Sequence, residues 1–253
     1  MDNMNKIALI TGGTSGIGLA TAELLLDHQF SVIVTGRRAD RLAEFQSKYG
    51  TDKVYTLCFD VQNEEEVNAA LDSLPNEWKN IQVLVNNAGL AWGLGKFFEG
   101  NTQHWNTMID TNVKGLLYVS RKVANWMKDQ KSGHIVNIGS IAGKEVYLNG
   151  NIYCATKHAV DALTKAMRLE LAEFQVRVTG IHPGAVETEF SEVRFDGDKE
   201  RAKAVYQGFE NLIADDIADA ILYVITRKPY VNINDLVIMP TAQPAAGVIH
   251  RGL

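Results

Sequence analysis

The sequence predicts a doubly wound α/β fold, an open parallel sheet with helices on both faces. Three observations predict it. Strand-like and helix-like stretches alternate along the 253 residues. The strand-like stretches are continuous apolar runs, the pattern of strands covered on both sides. A glycine-rich turn, "TGGTSGIG" (11–18), stands where the first strand meets the first helix.

The elements follow in order. "KIALIT" (6–11) is a buried strand, and 18–28 has helical spacing. "FSVIVT" (30–35) is a second strand. Residues 38–50 form an amphipathic helix closed by Gly50, as helices often close. "KVYTLCFD" (53–60) is a strand. The helix 63–74 has Asn63 as its N-cap and carboxylates in its first turn. "IQVLVN" (81–86) is the fourth strand, followed by one helix around 102–129. "GHIVNIGS" (133–140) is the fifth strand and precedes the helix carrying Tyr153. "VRVTGIHPG" (176–184) is the sixth, 214–226 a late helix and "NDLVIMP" (234–240) the last strand. The five prolines all fall between elements or at their ends. No repeat, low-complexity tract or linker divides the chain, so 1–253 is expected to be a single domain. The polar stretch 185–213 is long for a connection, and such loops often serve as lids over a site.

Composition narrows the function. A net charge of −5 and a pI near 5.7 disfavour nucleic acid as the main partner, because phosphate binding needs a basic surface. No run of 18 apolar residues predicts a membrane span. The start "MDNMNKIALITGG" lacks a long apolar region ahead of a small-residue cleavage site, so no secretion signal is expected. Two cysteines, Cys58 and Cys154, make no disulfide framework. A cytoplasmic enzyme acting on a small molecule fits these bounds.

The glycine-rich turn suits a pyrophosphate. Gly12, Gly16 and Gly18 let a ligand approach the main chain, and the helix beginning beside Thr14, Ser15 and Ile17 offers free N–H groups. At the end of the second strand, an NAD site usually places a carboxylate for the ribose 2′-OH. Here Gly36 is followed by Arg37 and Arg38. Two guanidinium groups attract a 2′-phosphate, so the expected cofactor is NADP(H), with Arg37 favoured as the phosphate ligand. Asp60, followed by Val61, is placed either to accept from an adenine amino group or to cap the next turn.

The chemistry falls at "NGNIYCATKHAVDAL" (149–163). Tyr153 and Lys157 lie one helical turn apart on one face. Ser140 ends the fifth strand, at the carboxyl edge where open α/β sheets bind ligands. Asn112 stands on the preceding helix. A free tyrosine titrates near 10, and lowering that by about 3 units takes roughly 4 kcal/mol of differential stabilisation. A nearby lysine ammonium works in that direction.

Together "TGGTSGIG", "NNAG" (86–89), "DTNVKG" (110–115), Ser140, "YCATK" (153–157) and "HPG" (182–184) resemble the short-chain dehydrogenase/reductase family, in its order and spacing, over essentially the whole chain. The resemblance implies a Rossmann-type domain with Tyr153 as general acid–base. It implies that Ser140 binds the substrate oxygen, Lys157 the nicotinamide ribose, and Asn112 a relay water. Asn87, Ala88 and Gly89 would line the adenosine and ribose path. Pro183, Gly184, Val186 and Thr188 would meet the nicotinamide side. A homotetramer is expected on the same ground.

A narrower resemblance, to NADP-dependent 3-hydroxy acid dehydrogenases (serine or L-allo-threonine dehydrogenase), rests on "TGRRADRL", "LVNNAGLAWGLG", "AVETEFSEVRFDGD", "VNINDLVIMP" and "QPAAGVIHRGL". Lys144, Glu145 and Val146 depart from that branch. A carboxylate substrate needs a cation, and Arg194 is the first candidate, Arg251 the second. Tyr147 and Trp92 are candidates to line the pocket. The six histidines show no metal-ligand spacing, so no metal is expected, and Cys154 is read as a space-filling helical residue. A sulfoacetaldehyde or general carbonyl reductase of the same family is the alternative, with a non-enzymatic NADP(H) sensor behind it.

Overall fold

In the computed structural model, residues 6–252 are described; Met1–Asn5, part of the stretch read for a leader, and Leu253 lie outside them. Among the described residues seven strands form one sheet: β1 (Ile7–Ile10), β2 (Ser31–Gly36), β3 (Val54–Cys58), β4 (Ile81–Asn86), β5 (Gly133–Ile138), β6 (Val176–Pro183) and β7 (Asp235–Ile238). Every pairing is parallel, in the order β3-β2-β1-β4-β5-β6-β7. The order reverses between β1 and β4. There the loops leaving the two strands part and open a crevice, the usual ligand site of such sheets.

The apolar runs fold as strands because neighbouring side chains serve opposite faces. Ala8 and Ile10 of β1 pack with Val32, Val34, Leu25 and Ile221 on one side. Ile7 and Leu9 pack with Ile33, Leu84, Val119 and Met127 on the other. Helices α1 (Gly16–Asp27), α2 (Ala39–Tyr49) and α9 (Ala214–Ile225) cover the first face. Helices α3 (Glu64–Asp72) and α5 (Leu116–Gln130) cover the second, with part of α6 (Asn151–Leu171). Full burial of each large aliphatic side chain is worth about 1.5–3 kcal/mol, so these two clusters fix the register. Gly50 ends α2 at φ +88°, a conformation few other residues adopt cheaply.

Three elements differ from the sequence expectation. The helix expected over 102–129 is α4 (Thr102–Ile109), a π-turn (Asp110–Gly115) and then α5. The segment "DTNVKG" is poor in strong helix formers. Its Gly115 also packs so tightly that a Cβ would lie 2.8 Å from Val61. Single π-turns of this kind are frequent at functional sites. The polar stretch 185–213 holds two short helices, α7 (Phe190–Arg194) and α8 (Lys199–Ala204). Strand β7 is an edge strand with Val237 47% exposed, so it lacks the full burial its composition suggests.

Asn63 caps α3, its side-chain oxygen accepting from the N–H groups of Glu65 and Glu66 at 3.0 and 3.2 Å. Asn63→Ala is therefore expected to lower stability by about 1 kcal/mol. A urea midpoint unchanged from wild type contradicts the cap's contribution.

Candidate active site

A cavity of about 490 Å³ lies along the carboxyl edge of the sheet. Apart from Gly18, Asn112, Trp92 and Arg251, every site residue expected from the sequence lines it. Glu189, Phe190 and Gln243 line it too, and sequence reasoning missed them. No spacing signal marks those three, because each meets the site only through long-range folding.

At one end the β1–α1 turn forms a cradle. Gly12 has φ +65° and lies so near the β4 loop that a Cβ would stand 3.0 Å from Ala88 Cα. Gly18 serves packing: its Cβ would come within 2.5 Å of the Gly12 carbonyl and of Asn87 Nδ2. The Asn87 amide donates to the carbonyls of Thr11 (2.9 Å) and Gly12 (3.1 Å), and the main-chain N–H groups of Asn87 and Ala88 both donate to Thr11 Oγ1 (3.0 Å). The loop is thus held from behind while its cavity side stays open. Ser15, the N-cap of α1, makes no side-chain cap bond, and the first turn has no acidic residue. The N–H groups at that helix end remain available to an anion. Asn87 therefore shapes the cradle as well as lining it.

The two arginines after β2 divide their work. Arg37 extends into solvent, 62% exposed, with Asp60 Oδ2 at 3.4 Å. Arg38 lies over the glycine-rich turn. Its Nε and Nη2 donate to Thr14 Oγ1 (3.1 and 2.8 Å), Nη2 also to Ser15 Oγ (2.7 Å), and Nη1 to Glu189 (2.8 Å). Asp60 accepts from the N–H of Gln62 at 3.0 Å, which is the turn-capping role left open by the sequence.

At the other end Tyr153 and Lys157 project from one face of α6. Lys157 is 6% exposed and donates to the Ile138 carbonyl at 2.9 Å. Its ammonium is 5.9 Å from the centre of the Tyr153 ring. Burial pushes Lys157 down to about 8. Burial pushes Tyr153 well above the usual tyrosine range, with the Tyr147 hydroxyl adding to the rise. The Ser140 hydroxyl and the Arg194 guanidinium oppose it. Ser140 itself accepts from the N–H of Ala142 at 3.1 Å, which fixes the turn after β5. The Asn112 side chain is fully used: Oδ1 accepts from Leu90 N–H (2.8 Å), and Nδ2 donates to the Leu90 carbonyl (2.8 Å) and to Thr156 Oγ1 (3.0 Å). It clamps the β4 loop to α6 from behind the cavity.

Arg194 stands over the same tyrosine. Its guanidinium carbon is 5.6 Å from the ring centres of both Tyr147 and Tyr153. Nη2 donates to Tyr147 Oη (2.8 Å) and Nε to the Gly93 carbonyl (3.3 Å). Phe190 packs on Tyr153 with ring centres 5.6 Å apart. Arg251 is elsewhere, donating to the Gln207 and Val205 carbonyls with its guanidinium over Phe209. Trp92 stacks on His104 at 4.7 Å and faces a smaller neighbouring cavity of about 370 Å³. Thr188 packs on the cradle, 3.2 Å from where a Gly16 Cβ would be. Cys154 is buried.

Topology also gathers one cluster that spacing does not reveal. Asp161, His182 and Asp235 present ligand-type atoms within 4.8 Å of one another. Lys144 places its ammonium 2.6 Å from Asp161 and 3.4 Å from Asp235, and so supplies a cation there itself.

A nucleotide-sized cleft with a phosphate cradle at one end and a Ser–Tyr–Lys set at the other is the site of an oxidoreductase. The pattern of the short chain dehydrogenase family matches residues 6–199, and the chain belongs to that family. The NADP-dependent 3-hydroxy acid dehydrogenase YdfG of Escherichia coli (strain K12) is 44% identical over 247 residues, 97% of this chain and 99% of that protein. An NADP-dependent 3-hydroxy acid dehydrogenase of Schizosaccharomyces pombe is 41% identical, covering 97% of this chain and 96% of its own. The closed form of serine dehydrogenase complexed with NADP+ superposes with a TM-score of 0.93 at 44% identity, over 97% of this chain and 99% of that one.

Gly18→Ala drives a Cβ into backbone and is expected to weaken NADP+ binding roughly tenfold, the order of a typical overpacking strain. Titration calorimetry that finds wild-type affinity contradicts the packing role.

Proposed function

We propose that the chain oxidises small 3-hydroxy acids such as serine, allo-threonine or 3-hydroxypropionate, or reduces the matching semialdehydes. It is an oxidoreductase of CH–OH groups, and its dinucleotide is NADP(H). One observation carries the substrate class: an arginine without a carboxylate partner among the described residues stands over Tyr153 inside the cleft. A planar guanidinium holds a carboxylate by two parallel bonds.

The cradle fits the cofactor. Its glycines leave the main chain approachable, the α1 N-terminus is uncapped by side chain, and Arg37 reaches solvent with Asp60 at 3.4 Å as its carboxylate neighbour. Gly12, Thr14, Ser15, Gly16 and Ile17 would hold the pyrophosphate, Arg37 and Arg38 the 2′-phosphate, and Lys157 the nicotinamide ribose. Bound NADP supplies the hydride acceptor or donor. In oxidation Tyr153 takes the hydroxyl proton, and in reduction it returns it. Ser140 donates to the oxygen that becomes the carbonyl. Lys157 and Arg194 favour the ionised tyrosine against the penalty of burial. Because the Asn112 side chain is occupied, a relay water is assigned to its main-chain carbonyl in the π-turn, where the regular helical ladder is interrupted.

A homotetramer in the cytoplasm belongs to the same proposal. The exposed apolar residues Ile109 on α4 and Leu169 on α6 support an assembly, and the free cysteines Cys58 and Cys154 suit a reducing compartment.

The test is the initial rate at 340 nm with NADP+ on L-serine, 3-hydroxypropionate, isethionate and 1,3-propanediol, for wild type and Arg194→Gln. The hydroxy acids are expected to turn over fastest, and Arg194→Gln to raise their KM at least tenfold while leaving the propanediol KM within about twofold. Preference for isethionate moves the substrate class to hydroxysulfonates. Equal rates on propanediol, or an unchanged acid KM in the variant, overturn the carboxylate clamp.

A further inference from the structure

The segment after β6 touches the cleft at both ends through one short helix. Thr188 lies against the cradle, and Glu189 follows at the N-cap position of α7 without a side-chain cap bond. The Glu189 carboxylate bridges two arginines of the cofactor end, Oε2 to Arg38 at 2.8 Å and Oε1 to Arg41 at 2.7 Å. Arg38 is fixed in turn by Thr14 and Ser15. Five residues on, at the far end of α7, Arg194 stands over Tyr153. Between them Phe190 packs on the tyrosine ring. At a rise of about 1.5 Å per residue, α7 is a strut of roughly 7.5 Å joining the phosphate end to the chemical end.

A lone half-exposed ion pair would fix little. Here one carboxylate is shared by two guanidinium groups, one of which holds two hydroxyls of the cradle as well. Networks of this kind hold geometry better than single pairs. Burial works to raise the Glu189 carboxyl, but the two arginines outweigh it and keep it ionised at about 2.

We propose that Glu189 is a positioning residue for substrate: it fastens α7 to Arg38 and Arg41 and so sets Arg194 in the cleft. The proposal rests on Arg194 as the substrate-anion ligand. The latch has a second consequence. It places a negative charge among the arginines that face the cofactor's phosphate end, where a carboxylate repels a phosphate. Losing it therefore acts with opposite sign on the two ligands. Substrate anions bind less well and NADP+ binds better.

Glu189→Gln is expected to raise the hydroxypropionate KM about tenfold, within the range of ordinary coupling between sites. The propanediol KM should stay within about twofold. The NADP+ Kd by calorimetry should fall roughly two- to fivefold. Glu189→Asp keeps the charge but shortens the reach, so it should raise the acid KM and leave the NADP+ Kd unchanged. A merely structural loss would weaken both substrates alike and NADP+ with them, and that result overturns the proposal. So does an acid KM unmoved in both variants. Arg194→Gln separates the two ideas: if it leaves the acid KM unchanged, the clamp fails and the latch with it. If it raises the acid KM while both Glu189 variants do not, only the latch fails.

Discussion

Two cations without carboxylate partners flank Tyr153, and the site depends on their staying so. Lys157 has the Ile138 carbonyl, and Arg194 has the Tyr147 hydroxyl and the Gly93 carbonyl. Among the described residues no carboxylate pairs with either. Other cations nearby are paired. Arg38 and Arg41 share Glu189, and Lys144 meets Asp161 and Asp235. The positive field is left open around the tyrosine. An open field there works in two ways: it favours tyrosinate, and it suits the anionic substrate proposed above. A carboxylate beside Lys157 would cancel both.

The sheet makes this possible by bringing sequence-distant loops to one edge. Strand β4 leads to the loop carrying Gly93, β5 ends at Ile138 just before Ser140, and β6 ends at Pro183 ahead of the 185–213 stretch. Parallel pairing puts all these carboxyl ends on the same side. From the π-turn, Asn112 ties Leu90 to Thr156, one residue from Lys157. The buried cation is thus fixed by neighbours that carry no charge.

Much of this was legible in the sequence, for definite reasons. Continuous apolar runs identify doubly covered strands, and a glycine-rich turn after the first of them identifies the cradle. Tyr153 and Lys157 are local, four residues apart on a helix, so spacing places them on one face. Arg194 was named from the sequence because a carboxylate substrate would call for a cation and the 185–213 stretch offers one, and the fold brings it over Tyr153. Other features depend on tertiary packing. Glu189 meets residues more than 140 positions away. The Asp161–His182–Asp235 cluster joins α6, β6 and β7. The close approach of Gly115 in the π-turn to Val61 is recorded by no helical periodicity.

The open positive field is tested most directly by the pH dependence of kcat for hydroxy-acid oxidation in wild type and Lys157→Met. The expected result is an upward move of the basic limb by about one unit or more when the ammonium is removed. A limb that keeps its position in Lys157→Met would contradict the open field, because the tyrosine would then owe its acidity to something other than the buried lysine.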